Sequence, residues 1–161
     1  MINSKELSIK RITWIREQGY LGYTDQQIRE LAFGNRFAYR LCVAFLTPAL
    51  IFANVPLLIF MNVVAFSSIL LPNHPFDYIY NYLIRRWMNG PELPPRSPQL
   101  KFACMMASLV IASTIYFIVE GMMTAAYLMG GQLIVIASIV SLFDLCFPSK
   151  IYNFIAGKIN Q

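Results

Sequence analysis

Four side chains in this sequence have the chemistry to bind a soft metal ion or to exchange electrons: Cys42, Cys104, Cys146 and the single histidine, His74. Three thiolates and one imidazole are a tetrahedral zinc donor set by type. Two thiols can also lose two electrons and two protons to form a disulfide. Spacing argues against the metal, because no Cys-x-x-Cys pair is present. An odd number of scattered cysteines is no disulfide framework either. Free cysteine packs as a small apolar residue, and buried unpaired thiols are the plainest reading. The sharper alternative is a redox pair, Cys104 with Cys146. His74 precedes Pro75 and has no second histidine to pair with. It reads as a capping or hydrogen-bonding group rather than a haem or chlorophyll ligand. There is no Ser-His-Asp set, no paired carboxylates inside an apolar run and no phosphate-binding glycine loop. The sequence therefore predicts no catalytic residue, no metal and no cofactor.

The elements that must carry these residues are long and apolar. Residues 41–76 contain no Asp, Glu, Lys or Arg, and residues 102–143 contain only Glu120. The composition is 57% hydrophobic and 13% charged, far from that of a soluble domain. Runs of this length cross a bilayer, and each is long enough to cross twice. Asn54-Val55-Pro56 and Glu120-Gly121 are the natural breaks. They predict spans over 36–53, 56–71, 102–119 and 124–147, with Pro48 kinking the first. A rival reading keeps one kinked span over 41–71 and gives three crossings. Of the 13 basic residues, none falls in a proposed hairpin tip. Four spans thus put all of them on one side, with both termini cytoplasmic. The net charge of +5 is then a matter of topology, and no nucleic-acid partner is expected. The polar first forty residues and the length of the first apolar run predict no cleavable signal. The expected fold is an all-α integral membrane four-helix bundle of two hairpins with cytoplasmic interfacial helices. Residues 1–33 form a basic segment and 34–161 the membrane domain.

Residues 4–18 carry Leu7, Ile12 and Ile15 at helical spacing, with Trp14 nearby. Lys5, Lys10, Arg11 and Arg16 occupy the other faces. That is the pattern of a helix lying on an anionic leaflet. Thr24 and Gln27 make a capping box for a second short helix. After Asn73-His74-Pro75, an aromatic segment runs to Arg85, Arg86 and Trp87. Tyr80, Arg85, Arg86 and Trp87 are predicted to meet lipid headgroups or another subunit. Residues 90–98 are proline-rich and extended. Asn62 and Gln132 lie nearest mid-span and are expected to bond across helices. Ala103, Ala107, Ser108 and Ala112, and Ala126 with Gly130, are small residues suited to close helix contact. Neither Glu120 nor Asp144 lies at mid-depth.

The hairpins share punctuation. Arg36-Phe37-Ala38 enters the first and Lys101-Phe102-Ala103 the second. Ile79-Tyr80-Asn81-Tyr82-Leu83 follows the first and Ile151-Tyr152-Asn153-Phe154-Ile155 the second. A parallel internal repeat would produce this pattern.

From Asn35 onward the chain resembles the bacterial membrane family catalogued as domain of unknown function 4395. The likeness rests on Asn35-Arg36-Phe37-Ala38, on His74-Pro75 to Arg85-Arg86, on Pro94 to Ala103, and on Phe143 to Tyr152. The resemblance implies a four-span protein of the bacterial inner membrane. Members are often encoded near thioredoxin-like or rhodanese-like proteins, which implies thiol or sulfur chemistry. Members commonly end in Cys-x-x-Cys, whereas this chain has Cys146-Phe147-Pro148-Ser149, so a local dithiol is missing. The residues themselves, short spans with few reactive groups, favour a non-catalytic accessory or scaffolding subunit of a larger membrane complex. The alternatives are a membrane thiol protein serving a thioredoxin-like or sulfur-transfer partner, and a small-molecule carrier. Membrane lipids, including anionic ones, are expected partners in every case.

Overall fold

A computed structural model of the protein describes residues 8–157. Among the described residues every regular element is helical. The elements are α1 (Ile9–Arg16), α2 (Asp25–Ile51), α3 (Val55–Leu70), α4 (Pro75–Ile79), a π-helical turn (Tyr80–Ile84), α5 (Arg85–Met88), α6 (Pro98–Val119), α7 (Met123–Phe143) and α8 (Phe147–Ile155).

Four long helices form the body. α2 packs against α3 and α7, and α6 packs against the same two, so the four close into a ring. Two tight turns make the hairpins. Ala53 takes the left-handed conformation (φ 45°) after α2. The Asn54 side chain then caps α3 by accepting from the Leu57 N–H (3.0 Å). Pro56 falls in the first turn of α3, where its missing donor costs nothing. Gly121 (φ 74°) turns α6 into α7.

The expected capping box is present at Thr24 and Gln27. The helix it starts is not short, however; α2 continues unbroken from Asp25 to Ile51 with Pro48 inside it. α7 stops at Phe143 rather than at 147, because Asp144 turns left-handed (φ 65°) to reach partners described below.

α6 and α7 are each long and apolar enough to cross a membrane. A third candidate is α3 taken with the helix 75–88, but the two are bent by 84°. At nearly a right angle the second piece cannot continue the direction of the first. α3 alone is about 24 Å long at about 1.5 Å per residue.

The core has two parts. One lies between the ring helices and includes Leu46, Ala49, Leu58, Met61, Val64 and Ile111. The other lies at the end away from the turns, where Ile12 and Ile15 of α1 meet Ile28, Leu31, Tyr80, Leu93 and Leu100. This second cluster docks α1 onto the bundle. Ile12 and Ile15, expected on the leaflet-facing side of α1, therefore face their own protein, while Ile9 stays exposed; residues 4–7 fall outside the described region.

Candidate functional site: a cysteine-lined cavity beneath a polar cap

A cavity of about 90 Å³ lies within the core between the ring helices. Cys42 from α2, Cys104 from α6 and Cys146 from the start of α8 all line it, as do Tyr39, His74 and Arg96. The rest of the wall is aliphatic. All three cysteines are free thiols. Cys104 lies within electrostatic reach of each of the other two.

Each polar wall residue has its state set by a neighbour. The His74 Nδ1 accepts from the Phe76 N–H (3.1 Å). That bond leaves the remaining proton on Nε2, which faces the Cys42 sulfur at 4.0 Å. His74 thus donates towards Cys42 and has no free lone pair with which to take its proton. Burial, reinforced by the Arg96 charge and opposed by Asp77, holds the imidazole pKa down at about 3. A Cys–His nucleophile pair of the protease kind is excluded on both counts. Cys146 accepts from the buried Ser149 hydroxyl at 3.1 Å. Tyr39 is different, because among the described residues its buried hydroxyl makes no well-aligned hydrogen bond and faces only the Cys146 thiol, a weak partner.

Arg96 closes the cavity. It is buried, stacks over the Tyr39 ring at 5.6 Å, and makes a two-pronged bond to Asp77, Nε to Oδ2 at 2.6 Å and Nη2 to Oδ1 at 2.8 Å. Burial works against its charge, but the Asp77 carboxylate outweighs burial and raises the guanidinium pKa well above its ordinary value. Asp77 also accepts from the His74 N–H (3.1 Å), capping the helix that follows.

A second carboxylate holds the cap together. Asp144 is fully buried. It takes both prongs of Arg36 (2.5 and 2.6 Å) and the Nε of Arg11 (2.8 Å). Its carbonyl accepts from the Gln18 amide (2.6 Å), and Gln18 accepts in turn from Asn35 (3.1 Å). Tyr20 donates to Asn35 (3.3 Å), and burial pushes its hydroxyl pKa up to about 12 against the pull of Arg96.

A family model described as "Domain of unknown function (DUF4395)" matches residues 33–156. The chain belongs to that family. No curated protein matches the chain, and no solved structure matches it. The match begins inside α2, so α1 and its contacts to Asp144 combine a segment outside the family region with one inside it.

Within the family region, Ser149 stands where the resemblance implies a second cysteine. Its hydroxyl occupies the hydrogen-bonding position beside Cys146. Cys104 and Cys146, the candidate redox pair, share the cavity wall. Among the described residues no three His, Cys, Asp or Glu side chains come together to hold a metal ion.

The residues expected to meet lipid or a partner divide. Lys5 lies outside the described residues. Lys10 sits over the Trp14 ring at 5.3 Å, and Arg16 pairs with Asp25 at 2.6 Å. Arg85 pairs with Glu92. Arg86 and Trp87 are exposed, Trp87 at 90%. Arg11 corrects the expectation: its guanidinium turns inward to Asp144. Tyr80 corrects it too, being 1% exposed. Its ring sits where a Cβ on Gly34 would be only 2.7 Å away, so the absent side chain at Gly34 makes its seat. Asn62 does bond across helices, accepting from Ser108 at 2.8 Å. Gln132 is exposed and makes no hydrogen bond among the described residues.

Sequence reasoning missed the pairs Asp77–Arg96 and Asp144–Arg36, and the buried Gln18, Asn35 and Tyr39. A signal existed for the carboxylates. Asp77 is the first acidic residue after the apolar stretch 41–76, and Asp144 the first after Glu120 in the other.

Proposed function

We propose that this is a four-span integral membrane thiol protein of the bacterial cytoplasmic membrane. α2, α3, α6 and α7 are the spans, and both termini are cytoplasmic. Support for four spans comes from what each helix leaves outside. Phe45 and Ile51 of α2, Ile59, Phe60, Val63 and Phe66 of α3, Leu109 and Tyr116 of α6, and Leu128 and Val135 of α7 are all exposed. Water does not tolerate such a continuous apolar surface, whereas lipid does. The described basic residues lie away from both hairpin turns, which supports a cytoplasmic cap.

The observation that carries the thiol reading is convergence. Three cysteines far apart in sequence, on three elements, line one small cavity. In the reaction envisaged, the Cys104 and Cys146 thiols give up two protons and two electrons and join as a disulfide. A partner disulfide of thioredoxin-like type accepts them and leaves as a dithiol. Cys104 is 9% exposed and Cys146 3% exposed, so a protein partner requires the cap to open. The test is oxidation of the detergent-purified protein with diamide, followed by peptide mapping. A Cys104–Cys146 linkage that dithiothreitol reverses is expected. Three thiols that stay free in the folded protein, yet oxidise after denaturation, would remove this reading.

The scaffold reading has one observation of its own. α8 presents Ile151, Phe154 and Ile155 outward, the last two more than 70% exposed. A larger membrane subunit could cover them. Copurification of a stoichiometric partner in mild detergent, abolished by F154A with I155A, would favour it; survival of the complex in that variant would count against α8 as the contact.

A further inference from the structure

The helix 75–88 carries a second cavity, outside the cysteine site, of about 130 Å³. Its wall is polar: Tyr78, Tyr82, Asn73, Asn81, Arg85, Arg86 and the carboxylate of Glu92. We propose that this cavity binds the phosphate of an anionic phospholipid. The inference rests on the membrane reading above and adds a ligand that it does not require.

Three observations point the same way. The first is orientation. The helix turns by 84° from α3, so when α3 crosses the bilayer, 75–88 lies along its surface at headgroup depth. The second is the outer side of that helix. Ile79, Leu83 and Trp87, spaced four apart, are 39%, 60% and 90% exposed. They form an apolar stripe ending in an indole, the side chain that favours the bilayer boundary. Acyl chains meeting this stripe would put a headgroup beside the cavity.

The third observation is charge. Glu92 is the cavity's only carboxylate, and Arg85 already pairs with it. Arg86 makes no ion pair or hydrogen bond among the described residues. One guanidinium is thus in excess, with the stacked Tyr78 and Tyr82 rings beside it (centroids 6.3 Å apart). Arginine and phenol donors suit a phosphate diester. The site is also built rather than floppy. Asn81 accepts from the Leu93 N–H (2.9 Å) and donates to the Leu93 carbonyl (3.3 Å), pinning the segment that carries Glu92 against the helix.

Trp87 reports on this site directly. The full chain, with Trp14 replaced by Phe, is reconstituted in phosphatidylcholine vesicles. Either brominated phosphatidylglycerol or brominated phosphatidylcholine is then included at equal mole fraction. The proposal expects stronger Trp87 quenching by the glycerol lipid. It expects that preference to fall about fivefold in Arg86→Gln, an exposed substitution that leaves the fold intact. Equal quenching by both lipids overturns the proposal, as does a preference that survives in R86Q with R85Q. Relief of the quenching by added inorganic phosphate would assign the cavity to free phosphate instead and overturn the lipid assignment. Failure of both lipids to quench any indole would mean that the helix is not at a bilayer, and the membrane reading would fall first.

Discussion

Asp77 opens the exit helix of the first hairpin and grips Arg96, which lies only nineteen positions later in the same half. Asp144 closes α7 of the second hairpin and grips Arg36 and Arg11, which belong to the first half and to the segment before it. The first carboxylate therefore locks its own hairpin, while the second ties the two halves and α1 together. Their surroundings differ as well. The side chains of Asp77 and Arg96 are 3% and 4% exposed, whereas Arg36 and Arg11 keep 16% and 28%. A buried pair that loses one member strands a charge, whereas a partly wet arginine can return to water. Asp77 is thus the structural keystone of the cysteine cavity, and Asp144 the fastening of the cap.

Breaking the first lock should have the largest effect. Asp77→Ala leaves Arg96 buried and uncapped, and should destabilise the protein by about 3–5 kcal/mol. Thermal unfolding in detergent measures this. D144A should cost less, about 1–3 kcal/mol, and should show a local signature: faster hydrogen exchange over residues 9–20, with the Asn81–Leu93 region unchanged. If the two substitutions cost the same, or if D144A loosens both halves alike, the contrast between them is wrong.

His74 gives a pH test of the same lock. Folded, it stays neutral down to about 3; unfolded, it takes a proton near the usual 6.5. The unfolded chain binds the extra proton between these values, so His74 favours the folded state fully above about 6.5. That contribution falls as pH drops towards 3, by about 1.4 kcal/mol per pH unit. His74→Gln should flatten this slope in a stability-versus-pH series; an unchanged slope would assign it to other groups. The smallest effect is expected at Tyr39. Its hydroxyl makes no well-aligned hydrogen bond among the described residues, so Y39F should change stability by less than about 1 kcal/mol in either direction. A larger loss would show that its contact with the Cys146 thiol is a strong one.

What was legible in the sequence was whatever rests on local chemistry. Asn54 with Pro56, and Gly121, mark turns because their backbone preferences need no tertiary help. Thr24 and Gln27 mark a helix start because both capping bonds lie within four residues. The absence of charge from 41–76 and 102–143 exposes the long helices. What was not legible depends on neighbours distant in sequence. Arg11 looks like a surface cation because Asp144 lies far along the chain. Tyr80 looks like an interfacial aromatic because its seat is the missing side chain of Gly34. The cysteines were visible as residues but not as a group, since only the ring of four helices brings positions 42, 104 and 146 to one wall. The end of α7 is hidden in the sequence because Asp144 is the single polar residue between Phe143 and Phe147, and its left-handed turn is fixed by distant arginines.

The proposed topology puts the cap and the cavity beneath it on the cytoplasmic side of four membrane spans. Single cysteines placed at Gly121 and at Arg86 in a cysteine-free chain test this in intact cells with a membrane-impermeant maleimide. Labelling at position 121, and none at position 86 until the cells are broken, is expected. Labelling at position 86 in intact cells, with position 121 protected, would contradict that topology.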